Sequence, residues 1–502
     1  MDNFQVYNDQ ADSINVDDIS ADRNNRIVLR RLQRNNANDY NNKSLWIQNN
    51  GHDDDGENCS DYCPEGADDM GWLGYFIGKN EHLRELQIMI PFTPTSGSSV
   101  RDVMEPFFRG VSNNKSIQEI GFYSMDLLGG EMFTMLGSFF KNNHNITTIN
   151  IANCLWGDEG ARLFALALGG SCTHKSLKEV SLQINNISDE GMVDIITALS
   201  MLPHLKLLNL VGNGLRKNGC VALATLIRCS ATELQNLDIS SNRINDDGIE
   251  ALVPALKSCS QLQDLSLSNN PSITPRGWQR FATILEAPTL AELYIQHNNI
   301  DDEAAAAFAN ALMNSQTLHT LFLGNNRSLT AVGWQSFSKT LCDTSSVNAT
   351  FLSNHTLRSV GANANASASA NEIIGPLLEL NARNDKKEVA TIKILQNHGD
   401  FDMQPFFEWE FKVLPLVLSW FERASVLEMP RYFEPNIEPR KLSTIYQFVR
   451  GMPVLYVETR LRKELEDIKL AESQLEKEEL QEEFRQRKES IMRKLGQKSE
   501  SC

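Results

Sequence analysis

Between residues 83 and 357 the chain repeats one arrangement of apolar and polar positions. Apolar side chains stand at the first, fourth and sixth positions of each copy, as in Leu234, Leu237 and Ile239 or Leu318, Leu321 and Leu323. Alternation of this kind predicts a short, half-buried strand. Copies begin at Leu83, Ile117, Ile146, Leu177, Leu205, Leu234, Leu262, Leu290, Leu318 and Val347, at steps of 28 to 34 residues. An amphipathic run closes each copy, for instance Ile249, Leu252, Val253 and Leu256, whose i, i+3, i+4, i+7 spacing predicts a helix. Strand-helix units of this length bury their faces only against neighbours, so stability is spread along an array.

Eight residues after the start, Asn recurs in six consecutive copies: Asn185, Asn213, Asn242, Asn270, Asn298 and Asn326, with Cys154 before the run and His355 after it. A side-chain amide both donates and accepts, so a buried Asn at a tight turn can satisfy backbone groups the turn would orphan. Acidic or hydroxyl pairs follow, among them Asp158-Glu159, Asp189-Glu190, Asp246-Asp247, Thr274-Pro275, Asp301-Asp302 and Thr330-Ala331. Each stands just before an amphipathic run, which predicts N-caps and first-turn acids rather than metal ligands, with Thr replacing Asp as the cap in alternate copies.

The whole pattern, L-x-x-L-x-L-x-x-N/C-x-L, resembles a leucine-rich repeat, and its period of 28 to 29 residues with a helical second half resembles the ribonuclease-inhibitor class. The resemblance implies an α/β solenoid, curved, with a parallel sheet on the concave side and helices on the convex side. In such a solenoid the strand positions between the buried leucines face the concave side. The fifth position reads Asn209, Asp238, Ser266, Tyr294, Phe322 and Phe351, which puts three aromatics in consecutive copies. Aromatic anchors dominate interface energetics, so Tyr294, Phe322 and Phe351 are the expected partner-binding residues, unless a C-terminal cap folds over them. The third position gives an interrupted acidic column that includes Glu85, Glu119, Glu179, Asp264 and Glu292. Glu119, Glu179, Asp264 and Glu292 join the expected binding residues, because such a column favours a basic partner. Arg84, Lys178 and Lys206 in the neighbouring column offset it in the first half.

Composition supports a folded protein and narrows its partners. The 502 residues are 41% hydrophobic and 22% charged, with 47 basic against 64 acidic residues and a net charge of −17. That balance argues against a dedicated nucleic-acid binder and a binder of anionic membranes. The longest greasy stretch, Val413 to Phe421, is far short of a membrane span and contains Pro415. The start Met1-Asp2-Asn3-Phe4 lacks the basic and apolar regions of a secretory signal, so the expected address is cytoplasmic, with the nucleus open. Nine cysteines scattered over the chain read as reduced thiols. Cys59 and Cys63 with His52 lack a second ligand pair for zinc. No phosphate-binding loop, dinucleotide fingerprint, zinc-protease or nucleophile-elbow motif occurs, and His144, His204, His297 and His319 have no fixed nucleophile or acid partner in the pattern. No catalytic residue, cofactor or metal is therefore expected.

The flanks complete the expected domain plan. Residues 1–70 read as a largely flexible region, with a short helix at Ile27 to Leu32, a degenerate first strand at Leu45-Trp46-Ile47 and an acidic loop from Gly51 to Asp69. The solenoid is expected over residues 71–360, with the apolar stretch Trp72 to Gly78 shielding its first edge. Residues 361–371 read as a linker and 372–453 as a helical subdomain rich in aromatics from Phe401 to Phe433. Residues 454–502 read as one long charged helix whose narrow stripe, Leu461, Leu465, Ile468, Leu475, Leu480, Phe484, Ile491 and Leu495, leaves open a coiled-coil homodimer or a solvated helix that meets a partner.

The expected function is a non-enzymatic scaffold that binds a protein on its concave face. The alternative is an enzyme regulator. The Ran GTPase-activating protein family is similar in its repeats and uses an exposed arginine and an acidic tail, but here the tail has mixed charge, and Arg216 and Arg243 lie after turns without that family's motif. A ribonuclease-inhibitor-like binder of a basic enzyme is the other form of that alternative, and fold by itself does not choose between them.

Overall fold

The computed structural model describes residues 3–37, 43–48, 61–89, 100–125, 131–169, 176–287, 289–361, 372–383, 385–398, 461–469 and 485–494. They fall into two compact units, residues 1–337 with 356–373 and residues 338–355 with 374–502.

The first unit is a ten-stranded parallel sheet in strict sequence order, β1 Ser44–Gln48, β2 Glu85–Met89, β3 Glu119–Tyr123, β4 Thr148–Ala152, β5 Glu179–Ser181, β6 Leu207–Asn209, β7 Asn236–Asp238, β8 Asp264–Ser266, β9 Glu292–Tyr294 and β10 Thr320–Phe322. A helix follows each strand and returns the chain: α3 Ala67–Lys79, α4 Val100–Val111, α5 Glu131–Asn142, α6 Gly157–Gly169, α7 Asp189–Leu199, α8 Lys217–Cys229, α9 Asp246–Ser258, α10 Pro275–Phe281, α11 Asp302–Leu312 and α12 Ala331–Leu341. Strands stack at about 4.8 Å whereas packed helices need about 8–10 Å, so the sheet side is the shorter, concave one. The repeat leucines fill the space between the two layers, with Leu208, Leu210, Leu265, Leu267, Leu321 and Leu323 fully buried. This is the α/β solenoid that the repeat pattern implies.

The asparagine ladder is real and structural. Asn213 donates through Nδ2 to Leu182 O at 2.9 Å and Leu210 O at 3.2 Å, while its Oδ1 accepts from Asn185 N at 3.1 Å and Ile187 N at 3.2 Å. Asn242, Asn270, Asn298 and Asn326 repeat the scheme, so each amide ties its own turn to the preceding copy. The residue just before the ladder position is left-handed in every described copy, at Ser124, Asn153, Ile184, Gly212, Ser241, Asn269, His297 and Asn325. That conformation turns the strand sharply toward its helix.

The helix starts depart from simple capping. Asp189, Asp246 and Asp302 are the first residues of α7, α9 and α11, yet each carboxylate reaches across to the start of the next helix. Asp246 accepts from Thr274 N at 2.8 Å and Thr274 Oγ1 at 2.6 Å, and Asp158 in the first turn of α6 does the same with Ser188 N and Oγ, both at 2.7 Å. The alternate Thr thus donates to the Asp of the previous copy, and Thr274 makes no side-chain cap to its own helix. In the copies between, Asn245 and Asp301 cap their own helices through Gly248 N at 3.1 Å and Ala304 N at 2.8 Å.

Three boundary expectations change. Residues 3–37 and 61–66, read from sequence as part of a largely flexible region, include α1 Asn3–Gln10 and α2 Arg23–Arg34, with Val28, Leu29 and Leu32 buried. Glu65 accepts from Ser20 Oγ at 2.7 Å, Ala21 N at 3.0 Å and Asp22 N at 2.8 Å, which locks the entry to α2. Trp72 to Gly78 is no edge shield but α3, the helix of the first repeat, and it crosses α4 so closely that a Cβ on Gly74 would lie 2.4 Å from Phe107 O. The outer edge of β1 is covered instead by Tyr62, whose N and O bond Trp46 O at 3.1 Å and Gln48 N at 3.0 Å. At the far end, the copy that begins at Val347 is not a strand: Val347–Leu352 is helix α13, capped by Ser346. The last edge segment lies at Leu357 to Val360, where Ser359 bridges Thr320 and both Leu357 and Val360 are buried.

The second unit includes α13, α14 Gly375–Arg383 and α15 Lys386–Asn397. Ile374, Leu380, Val389, Ile392 and Ile394 pack its core around a buried Lys393. The Lys393 ammonium donates to Leu341 O at 2.6 Å, Asn381 Oδ1 at 2.9 Å and Asn354 O at 3.3 Å, and lies 3.2 Å from His355 Nδ1. His355 therefore belongs to this polar knot and not to the asparagine ladder. Residues 461–469 and 485–494 are helical and lie side by side, with Ile491 packed against Leu465 and Ile468 and Arg487 bonded to Glu464 at 3.0 Å. A single straight helix would hold residues 464 and 487 about 35 Å apart, so the long continuous helix read from sequence is replaced by a pair. The acidic loop over residues 51–60, the linker 362–371 and the aromatics of 401–433 lie outside the described residues.

Candidate protein-interaction face

Parallel register turns each repeat position into a row of side chains across the sheet. The fifth-position row runs Trp46, Gln87, Gly121, Asn150, Ser181, Asn209, Asp238, Ser266, Tyr294 and Phe322. The third-position row runs Ser44, Glu85, Glu119, Thr148, Glu179, Leu207, Asn236, Asp264, Glu292 and Thr320. Both rows face the concave side, because the residues between them, such as Leu265 and Leu293, point into the core.

Tyr294 and Phe322 stand together at the C-terminal end, ring centroids 4.8 Å apart and planes within 9°. Both rings are half-buried. Phe322 lies over Gly361, where a Cβ would fall 1.7 Å from its Cδ1 and where φ is +54°. Gly361 is thus the fifth-position residue of the last edge segment, and the chain supports the Phe322 ring from beside it. Phe351 does not join this pair. It sits in α13 of the second unit, 56% exposed, because Ser346 caps a helix there and Val347, Thr350 and Leu352 only mimic the strand spacing.

Carboxylates flank the stack. Tyr294 Oη donates to Glu292 Oε2, and Asn236 Nδ2 donates to Asp264. The hydrogen bond to Glu292, with burial and the Glu292 and Asp264 charges, pushes the Tyr294 hydroxyl up to about 12. Burial and the Glu292 charge raise the Asp264 carboxyl. A hollow of about 590 Å³ opens here, lined by Leu207, Asn209, Asp238, Asp264, Glu292 and Tyr294 among others. Glu119 and Glu179 lie in the N-terminal half of the same row, and burial together with the Glu85 and Glu179 charges raises the Glu119 carboxyl. The expected site residues thus separate into a C-terminal group of Tyr294, Phe322, Asp264 and Glu292 and an N-terminal group of Glu119 and Glu179.

Sequence reasoning missed two residues of this face. Trp46 enters the fifth-position row from β1, and Tyr123 reaches the same face from the last position of β3; their rings are 6.4 Å apart and parallel within 6°. The regular repeat begins at Leu83 and does not include Trp46, although Leu45 and Ile47 beside it have the apolar alternation of a strand. Arg216 and Arg243 lie in turns at the edge of the sheet, beside Asp189, Glu190 and Asp247, and away from these rows.

The family model described as Leucine Rich repeat matches residues 173–195, 202–224, 231–253 and 286–309. NACHT, LRR and PYD domains-containing protein 5 of Mus musculus is 28% identical over 266 residues, which span 51% of this chain and 22% of that protein. The ribonuclease inhibitor of Sus scrofa is 32% identical over 142 residues, 28% of this chain and 31% of that protein. This chain therefore spans only about a fifth to a third of the length of these relatives. Among solved structures, the Rad7 and Elc1 complex of yeast is similar over 51% of this chain and 67% of that one, at 15% identity and a TM-score of 0.33. With the repeat pattern, the ten-stranded parallel sheet, the match to the repeat model and the likeness to the ribonuclease inhibitor, the chain is a leucine-rich-repeat protein of the ribonuclease-inhibitor-like class.

Proposed function

We propose that this protein is a non-catalytic interaction scaffold that engages a protein partner through its concave face. The stacked Tyr294 and Phe322 rings carry the reading: they place a preformed aromatic anchor beside a hollow and two carboxylates, on a face that no repeat helix covers among the described residues. Rigid rings held by stacking bind at low entropic cost, which is what an interface anchor requires. The acidic row favours a partner with a basic contact surface and speeds their encounter at low salt. Relatives named as a ribonuclease inhibitor and as NACHT, LRR and PYD domains-containing proteins support a binding role for the repeats. A cytoplasmic address fits the same relatives; among the described residues no helix is long and apolar enough to cross a membrane.

Among the described residues Leu461, Leu465 and Ile468 of the C-terminal stripe pack with Ile491 of the same chain. A photo-crosslinking residue at Phe322, compared with one at the exposed Val332 of α12, tests the face directly. A discrete adduct from position 322 and none from 332 supports the reading. Adducts from 332 alone, or from neither, would overturn it.

A further inference from the structure

Resting on that reading, we propose that the N-terminal end of the concave face is a recognition site for an arginine side chain of the partner, formed by Trp46, Tyr123, Glu85 and Glu119, with the Glu179 charge two strands further along the row. The two rings belong to β1 and β3, strands separated by β2, and Gly121 leaves the space that Gln87 and the Tyr123 ring occupy. A Cβ on Gly121 would fall 1.8 Å from Gln87 Oε1 and 2.7 Å from Tyr123 Cε2. The glycine is therefore what lets Gln87 and Tyr123 lie down on the sheet and bring two aromatic faces beside the acidic row.

The polar groups gathered here are mostly acceptors. Gln87 is 8% exposed; its Nε2 donates to Glu85 Oε1 at 3.1 Å, and its Oε1 has no partner. Asn150 donates to Tyr123 Oη at 3.0 Å, and its Oδ1 has none. Glu85, Glu119 and Glu179 stand on the third-position row, with Thr148 between the last two. Among the described residues no Lys or Arg forms an ion pair with any of the three carboxylates. The C-terminal end differs, since Glu292 is already bonded by Tyr294 and Asp264 by Asn236. At the N-terminal end Glu85 accepts from Gln87, while Glu119 lies between the Glu85 and Glu179 charges, and a cation there would relieve the repulsion.

The cation that matches is planar and donor-only. A guanidinium presents five N–H donors and no acceptor, is weakly hydrated and stacks on aromatic faces, so it uses the carboxylates and the rings together. An ammonium would use the carboxylates but is compact and strongly hydrated, and gains less from the rings. Adjacent strands are about 4.8 Å apart, which places this site about 35 Å along the sheet from the Tyr294 and Phe322 stack. A partner that uses both ends must present an arginine at that separation from its own aromatic-binding surface.

The test uses the full chain with hepta-arginine and hepta-lysine peptides, equal in charge, measured by fluorescence polarisation at physiological salt. The wild type is expected to prefer hepta-arginine by about fivefold, the scale of one cation–π contact. Trp46→Ala and Tyr123→Leu should each abolish the preference, Glu119→Gln with Glu179→Gln should weaken both peptides, and Tyr294→Ala should leave the preference intact. Thermal melts of every variant accompany the titrations. If Trp46→Ala does not fold, Tyr123→Leu and the double Gln variant decide. Equal affinity for the two peptides in the wild type overturns the proposal, as does a preference that survives in folded Tyr123→Leu. Crosslinking at Phe322 reads the face by itself, so failure of this site and failure of the interaction face give different results.

Discussion

The Asp302 carboxylate holds Thr330 at both ends: Oδ1 accepts from Thr330 N at 2.7 Å and Oδ2 from Thr330 Oγ1 at 2.6 Å. Its Oδ1 also takes Gly333 N at 3.0 Å, and a Cβ on Gly333 would lie 2.6 Å from that oxygen. One residue at the start of α11 thus satisfies orphan donors at the start of α12. The same clamp links Asp158 to Ser188, Asp189 to Arg216 and Gly219, and Asp246 to Thr274. Repeats are joined here by charge-assisted hydrogen bonds in addition to apolar packing.

Replacing Asp302 by Ala is expected to cost about 2 kcal/mol, the upper range for a lost helix cap, because it removes three hydrogen bonds at once. Burial opposes ionisation of Asp302, but the bonds from Thr330 and Gly333 outweigh it and hold the carboxyl below its usual value. The contribution is therefore complete above the ordinary aspartate range and fades as the pH falls through the lowered value. Chemical denaturation of wild type and Asp302→Ala at neutral pH and near pH 3 checks both the cost and its loss in acid.

Ile184 occupies a left-handed turn position at φ 56°, where the other copies carry Gly, Asn, Ser or His. A β-branched residue is strained there, and the side chain is 48% exposed, so little packing offsets the strain. Ile184→Asn should stabilise the first unit by about 1 kcal/mol. An unchanged or lower midpoint in denaturant would show that its packing beside Gly212 matters more than the strain.

Acid should loosen the second unit in a defined window. His355 keeps Nδ1 turned toward the Lys393 ammonium and Nε2 toward Phe351 O at 3.1 Å; burial and then the Lys393 charge push its pKa down to about 4. The unfolded chain binds the proton more readily, so the contribution is whole above the usual histidine value of about 6.5 and is lost as the pH falls toward 4. Melts of the wild type from pH 7 to 4 should fall more steeply than those of His355→Asn. Parallel slopes would remove His355 as the cause.

Lys393→Met should destabilise the same unit by about 3 kcal/mol, because the ammonium supplies donors to Leu341 O, Asn354 O and Asn381 inside an apolar shell. Burial pushes the Lys393 pKa down to about 7. The unfolded chain keeps its proton to higher pH, so the wild-type unit should gain stability between about pH 7 and 10.5, and the Met variant should not. Hydrogen exchange of α15 amides reads this locally.

The repeats were legible because strand spacing, turn chemistry and helix periodicity agree in every copy from Leu83 to Leu318. The sequence frame failed at its two ends, where tertiary context takes over. At the N-terminal end Leu45-Trp46-Ile47 reads as a degenerate first strand, and β1 stands there, but its pairing with β2 and the cover from Tyr62 come from tertiary structure. Val347, Thr350 and Leu352 match the strand spacing of the repeat, yet Ser346 caps a helix there and the true edge begins at Leu357. The candidate face shows the same division. Tyr294 and Phe322 were visible as one column, while the Trp46 and Tyr123 pair depends on Gly121, a residue whose missing side chain carries no signal in a pattern of apolar positions.

The most direct measurement is quantitative affinity capture from matched cell lysate with wild type and the Tyr294→Ala/Phe322→Ala double variant, with thermal melts of both. Loss of a specific protein from a variant that melts like the wild type is the predicted result, and the loss should deepen as salt is raised. Equal capture by the two proteins would contradict a partner held on the aromatic end of the concave face.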